Sequence, residues 1–277
     1  MKGTFYADHL DWTSYGYSFI PILANDPELS MDPNSSAWIR LEEIVNRSKL
    51  GNFTELNQVI AMYYTSQLGW VLKRTCIEVL GDISTTSIFH RMMADLKGYF
   101  DPDKAIDFCS AFRAWGSLSA VPTIAFQYHK FKGFDDFKVV PLFLSSLLES
   151  EWGPISNAPG ADDIDEYYDI VMMRYNELKK RFGTDQVIVF NGKLFGVIPL
   201  ANLALTRLSD SPFDRTFQRF FRRRFEASTG INCTALFADG IFQGLKAAEM
   251  IERFLGSSEA ARYEDGVRYF FGHRIPD

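Results

Sequence analysis

Trp70-Val71-Leu72-Lys73-Arg74-Thr75-Cys76-Ile77-Glu78-Val79-Leu80-Gly81 and, thirty-five positions on, Ala105-Ile106-Asp107-Phe108-Cys109-Ser110-Ala111-Phe112-Arg113-Ala114-Trp115-Gly116 read as two copies of one helical segment. Apolar residues fall in step at Val71 and Ile106, Cys76 and Ala111, Ile77 and Phe112, and Leu80 and Trp115, and a glycine closes each copy. The register holds past the glycine, where Ile83 matches Leu118, Phe89 matches Ile124, Leu96 matches Phe131 and Tyr99 matches Phe134. Recurrence at such a period is the mark of stacked helical hairpins, which bury their apolar faces on one another and leave a broad surface for a partner. The pattern predicts a mostly α fold, a HEAT-like α-solenoid of helical hairpins. Gly81 and Gly116 are expected at equivalent turns, where a positive φ carries no Cβ penalty.

Outward from this pair, the chain reads as a single elongated domain over 1–277, with an N-terminal cap region over 1–55, helical repeats over 56–260 and a docked C-terminal segment over 261–277. Ser35 or Ser36 is a fitting N-cap for a helix through Trp38, Leu41, Ile44 and Val45. Gly51-Asn52 ends that helix, and Thr54 can cap the next. Over 187–197, two β-prone runs flank Asn191-Gly192, a strong hairpin signal, so one small β-hairpin is expected there. Pro212 to Phe225 predicts an amphipathic helix with Phe213, Phe217, Phe220 and Phe221 inward and Arg215, Arg219, Arg222 and Arg223 outward. The end of the chain carries a second turn signal at Asp265-Gly266 and too many aromatics for a loose tail, so it is expected to dock on the body, with a second hairpin at the C-terminus.

Of 277 residues, 47% are hydrophobic and 15% aromatic, enough to bury a core. The longest uncharged run, Leu194 to Thr206, is thirteen residues, short of the ~18 that suggest a membrane span. Met1 to Trp12 has no apolar signal core, so the expected location is the cytoplasm or a route of export that uses no such core. Three cysteines without paired short spacing read as small buried residues in a reducing compartment.

No phosphate loop, dinucleotide glycine motif, nucleophile elbow or H-E-x-x-H zinc motif occurs, and His9, His90, His129 and His273 are scattered. These features predict no cofactor, no metal and no enzyme. An active site assembled from Asp82, His90 and His129 is the enzymatic alternative. The arginine run Arg219 to Arg224 lies opposite phenylalanines, and with a net charge of −6 it reads as a helix face pairing with nearby acids rather than a nucleic-acid site. Between Lys138 and Arg174 there is no basic residue, while Glu149, Glu151, Asp162, Asp163, Asp165, Glu166 and Asp169 supply seven carboxylates. That stretch is either a solvated face or a surface that focuses negative potential on a basic partner. Trp152 and Tyr167, of types enriched at binding hot spots, lie among the acids.

Ser36-Ala37-Trp38-Ile39-Arg40, Leu50-Gly51-Asn52, Glu78-Val79-Leu80-Gly81-Asp82 and above all Gly266-Val267-Arg268-Tyr269-Phe270-Phe271-Gly272-His273-Arg274-Ile275-Pro276 resemble bacterial immunity proteins of polymorphic toxin systems, most of all the immunity protein 47 family. The resemblance implies a protein that neutralises a cognate secreted toxin by tight binding, with no reaction and no cofactor. It transfers no contact residues. On the sequence itself, the expected contacts are Glu149, Glu151, Trp152, Asp162, Asp163, Asp165, Glu166, Tyr167 and Asp169, and the expected partner is a basic toxin domain. A helical-repeat scaffold or assembly factor for a host protein is the second reading.

Overall fold

The computed structural model describes residue 17 and residues 33–65, 67–98, 101–150, 153–156, 163–210, 215–238 and 241–277. In chain order the helices are α1 (Ser35–Lys49), α2 (Leu56–Tyr64), α3 (Trp70–Ile83), α4 (Thr86–Gly98), α5 (Pro102–Trp115), α6 (Val121–Phe131), α7 (Val140–Leu148), α8 (Ile164–Phe182), α9 (Val197–Asp210), α10 (Arg215–Thr229) and α11 (Gly244–Leu255). The strands are β1 (Val189–Phe190), β2 (Lys193–Leu194), β3 (Phe237–Ala238), β4 (Ile241–Phe242), β5 (Tyr269–Phe270) and β6 (His273–Arg274), paired as three antiparallel hairpins. The described chain is thus mostly helical, as the periodicity predicts.

Two compact units emerge, one built from Met1–Ile83 with Gly196–Pro276 and the other from Ser84–Phe195. In the second unit α5 packs on α7, and α6 packs on both α4 and α8. The second sequence copy, α5 with α6, lies wholly in this unit, whereas the first is divided, α3 falling in unit 1 and α4 in unit 2. The aligned apolar positions are well matched in burial: Cys76 and Ala111, Ile77 and Phe112, and Leu80 and Trp115 are all buried.

The two glycines are not equivalent. Gly116 is left-handed with φ 84° and ends α5, its N–H bonded to Phe112 O at 2.9 Å. The other end of α5 is capped by Asp101, whose carboxylate accepts the Asp103 N–H at 3.1 Å, with Pro102 in the first turn. Gly81, by contrast, lies inside α3, which runs on to Ile83. Both residues after it, Asp82 and Ile83, are buried, so tertiary packing carries the helix past a glycine that costs only ~1 kcal/mol against alanine. The expected turn at Gly81 is therefore corrected. Gly116→Val should destabilise the protein by about 1–2 kcal/mol or more, because a β-branched side chain disfavours the left-handed region; a denaturant titration measures it.

Other helix starts also differ in detail. Asn34 occupies the N-cap position of α1 and Glu55 that of α2, neither with a capping side-chain bond, while Thr54 instead bonds Asn52. The packing of the buried α1 stripe Trp38, Leu41, Ile44 and Val45 sets that start more than local capping does.

The three hairpins share one design. Each has a two-residue connection between its paired strands, and each extends its ladder by one equivalent bond: Phe195 N–H to Ile188 O at 2.8 Å, Gln243 N–H to Leu236 O at 2.8 Å and Ile275 N–H to Arg268 O at 3.0 Å. The expected hairpin at 187–197 is present, with Asn191 at φ 52° and Gly192 at φ 68°, the signs a type I′ turn requires. Its loop amides close the C-terminus of α7, Asn191 N–H reaching Ser146 O and Gly192 N–H reaching Leu147 O, both at 2.9 Å. A Cβ on Gly192 would lie 2.6 Å from Leu148 O, so only glycine admits this approach. The C-terminal hairpin also forms, connected by Phe271-Gly272, and the expected turn at Asp265-Gly266 is present as a separate turn before it, with Gly266 at φ 79°. The β3–β4 pair was not expected from the sequence.

Candidate functional site

The acidic stretch is placed by α8. Asp163 is its N-cap, accepting the Glu166 N–H at 3.2 Å, and Gly183 ends it with φ 73°. Ile164, Tyr167, Val171, Tyr175 and Leu178 form the buried stripe, which turns Asp165, Glu166, Asp169 and Met173 to the outside. Helix α6 lies against α8 and presents Phe126, half exposed, and His129, exposed, one turn apart. His129 Nε2 lies 2.7 Å from Asp165 Oδ1, and its ring stands 5.9 Å from that of Tyr168. The described surface is therefore a row of carboxylates edged by aromatic rings. The imidazole bonded to it comes from α6, beyond the sequence window that lacks basic residues. Asp163→Ala should cost about 1 kcal/mol of stability through loss of the cap, read as a shift in the denaturation midpoint.

Not every expected contact residue belongs to that surface. Glu149 is buried, and its carboxylate accepts the N–H of Ile155 at 3.0 Å and of Ser156 at 2.6 Å together with the Ser156 hydroxyl at 2.9 Å. It closes the turn after α7 and is not available at the surface. Tyr167 is also buried, its ring 5.3 Å from Tyr128. Burial, with Tyr128 and Glu149 nearby, pushes its phenol upward. Tyr167 follows the apolar stripe of α8, which overrides its polar character. Asp163, Asp165, Glu166 and Asp169 are exposed, and Glu151, Trp152 and Asp162 lie outside the described residues.

The arginine run folds differently from its reading. Arg222 and Arg224 are buried and Arg223 is largely so, leaving Arg219 outward; Phe213 lies outside the described residues. The run pairs with acids as expected, but inside unit 1 and not on a solvated face. Asp82, itself buried, accepts the Tyr17 hydroxyl at 2.6 Å and Arg223 Nε at 3.0 Å, with Arg223 Nη2 at 2.9 Å and Arg224 Nη1 at 3.6 Å. Arg223 Nη2 also donates to Glu78 O at 2.9 Å. Burial opposes the charge on Arg223, yet Asp82, Tyr17 and Glu78 outweigh it and raise its affinity for the proton. Arg268 donates to Gly81 O at 3.0 Å and to Asp82 O at 2.6 Å. Burial, then the Asp82 charge, holds the Tyr17 phenol well above its usual range.

No protein-family model, curated protein or solved structure matches this chain.

Chemically, the Asp82 cluster is a closed network. Its carboxylate is taken up by one phenol and two guanidinium groups, so it is not poised as a general base. Asp82 belongs to unit 1 and His90 and His129 to unit 2, with His90 beside the Phe89 ring at 5.7 Å and His129 on Asp165. The cysteines are buried; desolvation pushes the Cys76 thiol up to about 12 and raises Cys109 and Cys233 as well, which suppresses the reactive thiolate. Among the described residues no group of His, Cys, Asp and Glu is arranged to hold a metal, and no helix is long and apolar enough to cross a membrane.

Proposed function

We propose that the chain is an immunity-type binding protein that acts in the cytoplasm and neutralises a basic toxin domain by direct association, without a catalytic step. The observation that carries this reading is the exposed row Asp163, Asp165, Glu166 and Asp169, met by the rings of His129 and Tyr168, with the half-exposed Phe126 one turn from His129 on α6. Carboxylates focus a negative potential that speeds encounter with a cationic partner, and adjacent aromatic surface supplies short-range contact and ring faces for cations. A basic nuclease-like domain suits such a face, because the carboxylates can occupy a groove meant for phosphate. The HEAT-like solenoid is part of the same proposal. The packing of alternate helices within unit 2, α5 on α7 and α4 and α8 on α6, supports it.

Co-expression with a toxin domain encoded beside the gene, followed by affinity capture through this chain, tests the reading. The expected product is a complex with a basic domain whose association slows as salt rises, since a Debye length of about 8 Å at physiological ionic strength screens steering before close contacts. Capture of an acidic partner, or association indifferent to salt, would sink the proposal.

A further inference from the structure

The C-terminal motif from Gly266 to Pro276 has no part in the proposed binding face, yet its hairpin joins four separate stretches of unit 1. Arg268 closes the end of α3 through the carbonyls of Gly81 and Asp82, at 3.0 and 2.6 Å. Phe271 N–H donates to Ala227 O at 2.7 Å and Gly272 N–H to Ser228 O at 2.8 Å, closing the end of α10. Phe270 is fully buried with its ring edge-on to Tyr17 at 5.0 Å, and the His273 ring packs so tightly on Gly51 that a Cβ there would meet Nδ1 at 2.8 Å. Helix C-termini leave carbonyls without intrahelical partners, and here one element satisfies those of two helices far apart in sequence.

Unfavourable features are concentrated in the same element. Phe271 holds a left-handed φ of 50°, a conformation that side-chain-bearing residues avoid. Arg268 is buried, and burial followed by the like charge of Arg224 presses its guanidinium well below its ordinary range. Strain and desolvation are relieved when the hairpin leaves, and the ends of α3 and α10 lose their caps at that moment.

We propose that the C-terminal hairpin is a strained clasp, whose release is the first opening of unit 1 and frees the last turns of α3 and α10 together. Native-state hydrogen exchange on the full chain reads this directly, because amides that open in one event share one protection factor. The amides of Phe271, Gly272 and Ile275 should open with those of the last turns of α3 and α10. Arg268→Met keeps the aliphatic stem and removes two charge-assisted bonds, and should raise that shared opening roughly 10- to 100-fold. Gly272→Ala strains the φ 76° position more gently and should raise it about fivefold, which covers the case in which Arg268→Met fails to fold. The β1–β2 hairpin, which closes α7 in the same way, is the internal reference and should not change. Hairpin amides that open without the two helix ends, or a reference hairpin accelerated by the same factor, would overturn the clasp.

Discussion

Asp82→Ala should destabilise the protein by about 3–5 kcal/mol, the range for removing one partner of a buried ion pair. The size follows from what is stranded. The Tyr17 hydroxyl and the Arg223 and Arg224 guanidinium groups lose their shared acceptor, Tyr17 and Arg224 in buried positions and Arg223 in a largely buried one, and Arg268 is left beside cations that have lost the Asp82 charge. For a chain of this size each kcal/mol moves the melting temperature by about 2–4 °C, so a fall of roughly 10 °C is expected by calorimetry. The exposed pair of Arg253 with Glu249, 2.6 Å apart but each more than two-thirds exposed, is the contrast: Glu249→Ala should change stability by no more than about 0.5 kcal/mol. Equal melting of the two variants would show that the Asp82 network is not where unit 1 is held. Asp82→Asn separates charge from shape, since an amide keeps one acceptor for Tyr17 but cannot balance the arginines, and it should fall between wild type and alanine.

The helical character was legible because apolar spacing is a local property: Cys76, Ile77 and Leu80 repeat as Ala111, Phe112 and Trp115, and all six are buried. Gly116 was legible for the same reason, as a glycine at the end of a periodic run. Gly81 looked identical in sequence, but its helix runs on through the buried Asp82 and Ile83, with Asp82 bonded to arginines more than a hundred positions away, which no local window contains. The arginine run failed in the same direction. Charge in a helical pattern reads as a solvated face, and only the distant acids Asp82 and Glu78 reverse that. Asn191-Gly192 gave its hairpin away, and Asp239-Gly240 between Phe237-Ala238 and Ile241-Phe242 carried the same signal and could have been used. Phe271-Gly272 has no such signature, because a phenylalanine in the left-handed region is held there by Ala227, Tyr17 and Lys49 and not by its own preference. On the candidate surface, Asp165, Glu166 and Asp169 were read as exposed and are so, whereas Tyr167 was read as a contact although its place on the apolar stripe of α8 turns it inward. The burial of Glu149 depends on the turn that follows it, where the backbone amides of Ile155 and Ser156 need an acceptor.

Reversing Asp165, Glu166 and Asp169 to lysine should slow association with a basic partner by about 10- to 100-fold at low salt, while the fold persists. The three positions are chosen from the structure: each is exposed on α8, whereas Asp163 caps the helix and Glu149 is buried, so changing those two would mix folding with binding. The reversal carries a modest stability cost of its own. Acids in the first turn favour the helix dipole by about 0.3–1 kcal/mol each, and the bond between His129 and Asp165 is lost, so a decrease of about 1–2 kcal/mol in unfolding free energy is expected beside the kinetic effect. The neutral set Asp165→Asn, Glu166→Gln and Asp169→Asn should show about half of the rate effect on a logarithmic scale, because it removes the attraction without adding repulsion. Steering acts on encounter, so the dissociation rate should change less than the association rate, and raising salt should bring wild type and variant together. Phe126→Ala supplies the opposite signature. A half-exposed ring contributes short-range contact, so its loss should speed dissociation by about 5- to 30-fold and leave association nearly unchanged. Stopped-flow association and surface-capture dissociation separate the two classes. If the lysine variant associates at the wild-type rate and still protects cells from the toxin, the acids of α8 are a solvated face and the partner sits elsewhere.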